Sequence, residues 1–126
     1  MGEPGRVLLA EDDRFLRKAA ETALKRQGFT VLPAVDGEEA LRMARAEAPD
    51  IVLLDLIMPK LQGFEVLRAL KADPATTKIP VIILSNLGQE SDVKQAMEAG
   101  AAGYFVKANL SLRDLVKRVG EVVGST

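Results

Sequence analysis

The sequence predicts a doubly wound α/β domain, a five-stranded parallel sheet with helices on both faces. Three observations carry this. Short apolar runs alternate with amphipathic stretches five times along the 126-residue chain, the pattern of repeated βα units. Two runs, Val7-Leu8-Leu9-Ala10 and Ile51-Val52-Leu53-Leu54, are apolar at every position, as in strands buried on both faces. Both end in acid, Glu11-Asp12 and Asp55, which sets carboxylates at one rim of the sheet.

The elements follow in order. The first strand spans residues 6–10. The first helix spans 14–27, with Asp13 placed to cap it, Phe15, Ala19, Ala23 and Leu24 as its apolar stripe, and Gly28 just past its end. The second strand covers 29–33 and the second helix 37–48, opened by the pair Asp36 and Glu39. Pro49 marks the loop into the third strand, 50–54, which leads to a helix over 64–71. The polar stretch Asp73-Pro74-Ala75-Thr76-Thr77 is a connection of ordinary length. Pro80 precedes the fourth strand, 81–84, and the fourth helix covers 90–99. The fifth strand covers 103–106. The last helix covers 112–123, started by Ser111 and Asp114, and turns Leu112, Leu115, Val116, Val119, Val122 and Val123 toward the sheet.

Composition excludes several functions. With neither Cys nor His, the chain has no disulfide, no thiolate or imidazole metal site, no Ser-His-Asp triad and no histidine base. A net charge of −1 gives no field for bulk nucleic-acid or membrane binding, and no apolar stretch approaches the roughly 20 residues of a span. The reading is one domain, residues 6–124, after a flexible lead over 1–5 that lacks signal-peptide character, with no second domain and a cytoplasmic location.

The chemistry collects where strands end. Strand one is followed by Glu11-Asp12, strand three by Asp55, strand four by Ser85-Asn86 and strand five by Lys107; strand two gives only Pro33-Ala34-Val35. In the flavodoxin-like order 2-1-3-4-5 the second strand is an edge, and ligands bind at the switch point between strands one and three. The polar groups fall on the four strands around that point. Each has a bland alternative: Glu11 and Asp12 as a solvated loop, Ser85 as a turn hydroxyl, Lys107 as a surface lysine, Asp13 simply as a cap. Three carboxylates at neighbouring strand ends would raise one another's pKa unless a cation held them, and an all-oxygen donor set favours Mg²⁺. Three carboxylates, one divalent ion and Lys107 balance to zero. A phosphoryl group could dock there, and a carboxylate could attack phosphorus to give an acyl phosphate.

At these residues the chain closely resembles the receiver domain of two-component response regulators, over about residues 6–123. The pieces are Val7-Leu8-Leu9-Ala10-Glu11-Asp12-Asp13, Asp55-Leu56-Ile57-Met58-Pro59 with Gly63, Ile83-Leu84-Ser85-Asn86, and Gly100-Ala101 with Gly103-Tyr104-Phe105-Val106-Lys107. The resemblance implies Asp55 as phosphoacceptor, with Mg²⁺ held by Glu11, Asp12, Asp55 and the backbone carbonyl of Ile57. It implies that Ser85 and Lys107 contact phosphoryl oxygens and that Tyr104 is the switch aromatic. Pro59 and Gly63 would shape the loop after the acceptor, Gly63 through a positive φ or a close approach. The donor would be a phosphohistidine on a sensor histidine kinase or a phosphotransfer protein. The domain would catalyse only its own phosphorylation and dephosphorylation. Output would pass to a downstream protein through the fourth helix, fifth strand and fifth helix, or through a phosphorylation-dependent homodimer, with no nucleic acid or membrane bound directly.

Two departures from the family pattern stand out. Ala108 replaces the proline, often cis, that usually follows the lysine, so a trans bond and a differently running loop over 108–110 are expected. Ile57 and Leu87, each two residues past a site residue, are apolar where the hydrolytic water passes, which predicts a long-lived phosphoryl group. Other readings are weaker. An aspartyl-phosphate phosphatase needs a second Asp at position 57, and Ile stands there. A nucleotide or flavin binder would place glycines or hydroxyls after strand one, where Glu11-Asp12-Asp13 repel phosphate. A degenerate, phosphorylation-independent interaction module is the remaining alternative.

Overall fold

The computed structural model describes residues 5–124. Five strands, β1 (Arg6–Ala10), β2 (Thr30–Ala34), β3 (Ile51–Asp55), β4 (Val81–Ser85) and β5 (Gly103–Val106), form one parallel sheet in the order β2-β1-β3-β4-β5. Five helices alternate with them: α1 (Arg14–Arg26), α2 (Gly37–Glu47), α3 (Gly63–Ala72), α4 (Glu90–Glu98) and α5 (Leu112–Gly124). This is the flavodoxin-like fold that the alternation predicts. Among the described residues no helix is long and apolar enough to cross a membrane. The predicted lead lies outside the described residues except for Gly5, which is buried and whose carbonyl accepts from the Thr30 N–H.

The central strands are buried on both faces, so alternate residues feed two cores. Leu8, Ala10, Val52, Leu54, Val81 and Ile83 point to the layer of α2, α3 and α4, where Ala40, Ala44, Val66, Leu67, Leu70 and Ala96 meet them. Val7, Leu9, Ile51, Leu53, Ile82 and Leu84 point to the layer of α1 and α5, against Ala20, Leu24, Leu115 and Val119. Small residues on α1, α2 and α4 let those helices sit close to the sheet.

Caps fix the helix starts. Asp13 accepts from the Phe15 and Leu16 N–H groups, and Asp36 accepts from the Glu39 N–H at 2.8 Å. Glu39 reaches back to the Val35 N–H, one residue before the cap, rather than to the cap itself. Ser111 Oγ accepts from the Asp114 N–H, and the predicted stripe of α5 is the face turned inward. At the end of α1 the Gly28 and Phe29 N–H groups donate to the carbonyls of Lys25 and Leu24, a Schellman closure.

The first half of the stripe predicted for α1 is displaced by one residue, while Ala23 and Leu24 hold. Phe15 is 88% exposed and Ala19 is exposed, while Leu16, Ala20, Ala23 and Leu24 turn inward. Helical spacing alone permits both phases. The face with Ala20 won because it lets α1 approach the sheet closely while seating Leu24.

Two ends shift in a way that matters. Asp55 and Ser85 are the last residues of β3 and β4, paired with Leu84 and Val106, rather than the first residues beyond them. They are therefore ladder-bonded and rigid. Gly63 opens α3, and its N–H donates to the Leu56 carbonyl at 2.9 Å. A Cβ there would stand 2.3 Å from the Asp55 carbonyl oxygen, so the close approach holds and a positive φ is not needed; the left-handed residue of this loop is Lys60.

Thr76 is 1% exposed, and its hydroxyl donates to the Leu70 carbonyl at 2.7 Å, which closes α3. Thr76→Val keeps the shape but leaves that carbonyl unpaired. The expected loss is about 1–3 kcal/mol, read as a lower urea midpoint at unchanged slope.

Candidate functional site

The rim of the sheet gathers the residues that the strand ends predict. Glu11 follows β1 directly; its N–H donates to the Ala34 carbonyl, and its side chain is fully buried. Asp55, 3% exposed, ends β3, and Ser85, fully buried, ends β4. Asp12 is exposed at the mouth. Lys107 follows β5 and opens a single 3₁₀ turn, Lys107–Asn109. Asp12, Asp13, Asp55, Ile57, Asn86 and Lys107 line a cleft of about 270 Å³.

Lys107 is the hub. Its Nζ donates to Asp55 Oδ2 at 2.9 Å and to Glu11 Oε2 at 2.9 Å. Glu11 Oε2 also accepts from the Asp13 N–H at 3.0 Å, and Asp55 Oδ1 accepts from the Ile57 N–H at 3.2 Å. Glu11 Oε1 lies 2.8 Å from the ammonium, yet it is buried and takes no hydrogen bond of acceptable geometry. Burial pushes the Glu11 carboxyl up to about 7, against the pull of Lys107 and the Asp13 N–H. Burial also opposes the charge on Lys107, but its hydrogen bonds to Glu11 and Asp55 outweigh this and hold its pKa above the usual lysine value. Lys107 thus keeps its proton, and Glu11 is the carboxyl that burial pushes toward taking one up.

One oxygen each from Glu11, Asp12 and Asp55 lies within 4.8 Å of the others. Trans oxygens around a six-coordinate Mg²⁺ or Ca²⁺ stand about 4–5 Å apart, so one ion can span them. The orphaned Oε1 of Glu11 is a ready ligand atom, and the donor set is oxygen throughout. These residues fit a hard divalent cation.

On the other side of the cleft, Ser85 Oγ accepts from the Leu87 N–H at 3.0 Å. Tyr104 pairs with Ile83 in register, is half-buried, and donates its hydroxyl to the Leu87 carbonyl. Burial raises its pKa, so it stays neutral. Ile57 and Leu87 are both exposed, Ile57 on the cleft wall. No described peptide is cis, as expected at Ala108. The 3₁₀ turn itself was not foreseen. Leu110 closes it by donating its N–H to the Lys107 carbonyl and packs its side chain against the α1–α5 core.

Sequence reasoning also missed Arg17. Its guanidinium donates to the carbonyls of Glu11 at 2.9 Å and Asp12 at 3.3 Å, which ties α1 to the acidic turn. A cation one turn into the helix after an acidic loop is the only signal for it.

Comparison with known proteins gives one answer. The family model described as "Response regulator receiver domain" matches residues 7–120. A gliding motility regulatory protein of Myxococcus xanthus is 40% identical over 90% of this chain, and response regulator PleD of Caulobacter vibrioides is 39% identical over 81%. The chain spans only 15% and 22% of those two relatives. Among solved structures, the receiver domain of Francisella response regulator 1452 superposes with a TM-score of 0.90 at 29% identity, covering 96% of this chain and 98% of that one. The CheX–CheY–BeF3–Mg complex from Borrelia burgdorferi gives 0.88 at 33% identity, covering 96% and 90%. The chain belongs to the response regulator receiver domains, the signalling domains of two-component systems.

Proposed function

We propose that this domain is a phosphorylation switch in which Asp55 takes a phosphoryl group from a histidine on a sensor kinase or phosphotransfer protein. The observation that carries this is the setting of Asp55: a nearly buried carboxylate at a strand end, aimed by the Ile57 N–H and Lys107, beside two further acids. An Asp55 oxygen attacks phosphorus, the P–N bond to the imidazole breaks as the P–O bond forms, and the donor nitrogen keeps the electron pair. Mg²⁺ held by Glu11, Asp12, Asp55 and the Ile57 carbonyl would neutralise charge on the transferred oxygens. The Borrelia complex, of the same fold, contains Mg by its description, which supports this cofactor.

Lys107 is released from Asp55 as the phosphoryl group arrives and pairs with one of its oxygens, while the Ser85 hydroxyl donates to another. Turning Ser85 inward takes the acceptor away from the Leu87 N–H, and Leu87 also holds the Tyr104 hydroxyl. One residue therefore links acceptor chemistry to the aromatic on β5. That is the basis for output through the α4–β5–α5 face to a downstream protein or a second copy, in the cytoplasm. The phosphatase alternative has no support at the site, because Ile57 offers no general acid.

Incubation with acetyl phosphate and Mg²⁺ tests the acceptor. Intact mass should rise by one phosphoryl group in the wild type and not in Asp55→Asn; equal labelling of both would refute the assignment. The labelled form should persist for minutes or longer, because apolar Ile57 and Leu87 leave no group to orient the hydrolytic water; decay within seconds would contradict this.

The Glu11 pKa of about 7 gives a pH dependence. Below it the folded, metal-free domain carries a proton that a cation must displace, so Mg²⁺ affinity should fall by up to about tenfold per pH unit as pH drops from 7 to 5. The same shift works the other way on metal-free stability. Between pH 4.5 and 7 the folded state binds the extra proton, so stability declines as pH rises through that window. Titration calorimetry with Mg²⁺ and urea melts in chelator, each across pH 5–8, check both signs, and Glu11→Gln should flatten the stability profile.

A further inference from the structure

The loop that carries the backbone from Asp55 to α3 has few partners of its own. Leu56 and Met58 anchor inward, 1% and 4% exposed, but Ile57 is 54% exposed and Lys60 is exposed. Its near end is tied to the strand by Gly63, as described above. Its tip depends on α2. The Gly37 N–H donates to the Pro59 carbonyl at 3.2 Å, and the Leu61 N–H donates to the same carbonyl at 2.8 Å. A Cβ on Gly37 would stand 1.9 Å from the Leu61 carbonyl oxygen and 2.7 Å from Leu61 Cβ, so the loop backbone lies directly on the first residue of α2. Between these contacts Lys60 takes φ 70°, a left-handed backbone that a non-glycine residue keeps only when its surroundings require it. Its ammonium lies 3.5 Å from Asp36 Oδ2, and Asp36 also caps α2.

We infer that the N-terminal turn of α2, through Asp36 and above all Gly37, is the positioning device of the acceptor loop: it fixes the backbone from Ile57 to Gln62 and so holds Asp55 and the Ile57 carbonyl where phosphoryl transfer needs them. This rests on the reading of Asp55 as the acceptor. None of these α2 groups touches the reacting atoms; they act through Pro59, Lys60 and Leu61. The Ile57 N–H that aims Asp55 Oδ1 is only two residues from Pro59, so a shift at the tip reaches the carboxylate through rigid peptide units.

Gly37→Ala tests this against Thr76→Val, which destabilises the fold far from the loop. In Gly37→Ala the initial rate of labelling by acetyl phosphate should fall at least tenfold, and the Ile57 and Leu61 amides should exchange with solvent at least tenfold faster. Thr76→Val should keep the wild-type labelling rate and loop exchange. A folded Gly37→Ala with wild-type labelling and loop exchange overturns the inference. Should Gly37→Ala not fold, Lys60→Gly decides. It relieves the left-handed strain and removes the ion pair, so thermal stability should hold or rise while labelling slows at least threefold; an unchanged rate overturns the inference. Failure of the wild type to label would sink the acceptor reading instead, and the exchange rates, which need no phosphorylation, would still judge the clamp.

Discussion

Two desolvated carboxylates held by a single ammonium group govern this structure. Glu11 and Asp55 lie at the ends of adjacent strands in a sheet covered on both faces, where water does not reach them freely. Their backbones are held by other strands, Glu11 through its N–H to the Ala34 carbonyl and Asp55 through its pairing with Leu84. Removing one member of such a buried set leaves an uncompensated charge, which costs more than the pairing itself contributes. Lys107 relieves part of the repulsion, and protonation of Glu11 relieves part of the rest. The site therefore gives up stability to keep together an oxygen donor set that fits a hard divalent cation.

The fold supplies the rigidity that such a site requires. Parallel strands in register bring four chain segments, far apart in sequence, to one rim: the ends of β1, β3, β4 and β5. Asp55 and Ser85 belong to the ladder itself, so backbone hydrogen bonds fix their Cα positions. Leu87, in the loop after β4, holds both Ser85 through its N–H and the Tyr104 hydroxyl through its carbonyl.

Much of this was legible in the sequence because burial and chemistry both follow strand ends. Apolar runs stopped by acid or hydroxyl, with the half-buried run of β5 stopped by lysine, name the rim directly. Helix caps were legible for the same local reason, since Asp13, Asp36 and Ser111 act within three residues of themselves. The phase of α1 was not, because Phe15 and Leu16 satisfy helical spacing equally and only the sheet decides between them. Arg17 and Gly37 were missed as site-supporting residues for a related reason. Their partners, the Glu11, Asp12, Pro59 and Leu61 carbonyls, are backbone atoms, and backbone contacts between separate elements leave no side-chain pattern to read.

The contrast between Gly63 and Gly37 shows how the loop after Asp55 is held at two places. Both glycines permit a close approach of backbone to backbone. Gly63 sets the start of α3 against the end of β3, close in space to the Asp55 carbonyl, so it determines how the loop leaves the sheet and enters α3. Gly37 belongs to a different element and meets the loop at its tip. A loop tied only at its base could pivot about Leu56 and carry the Ile57 peptide with it. Tied at base and tip, it has one orientation, and the Ile57 N–H can aim the Asp55 carboxylate before any ligand arrives. Such pre-organisation is what an aspartate, a weak nucleophile in water, would need in order to meet phosphorus in line.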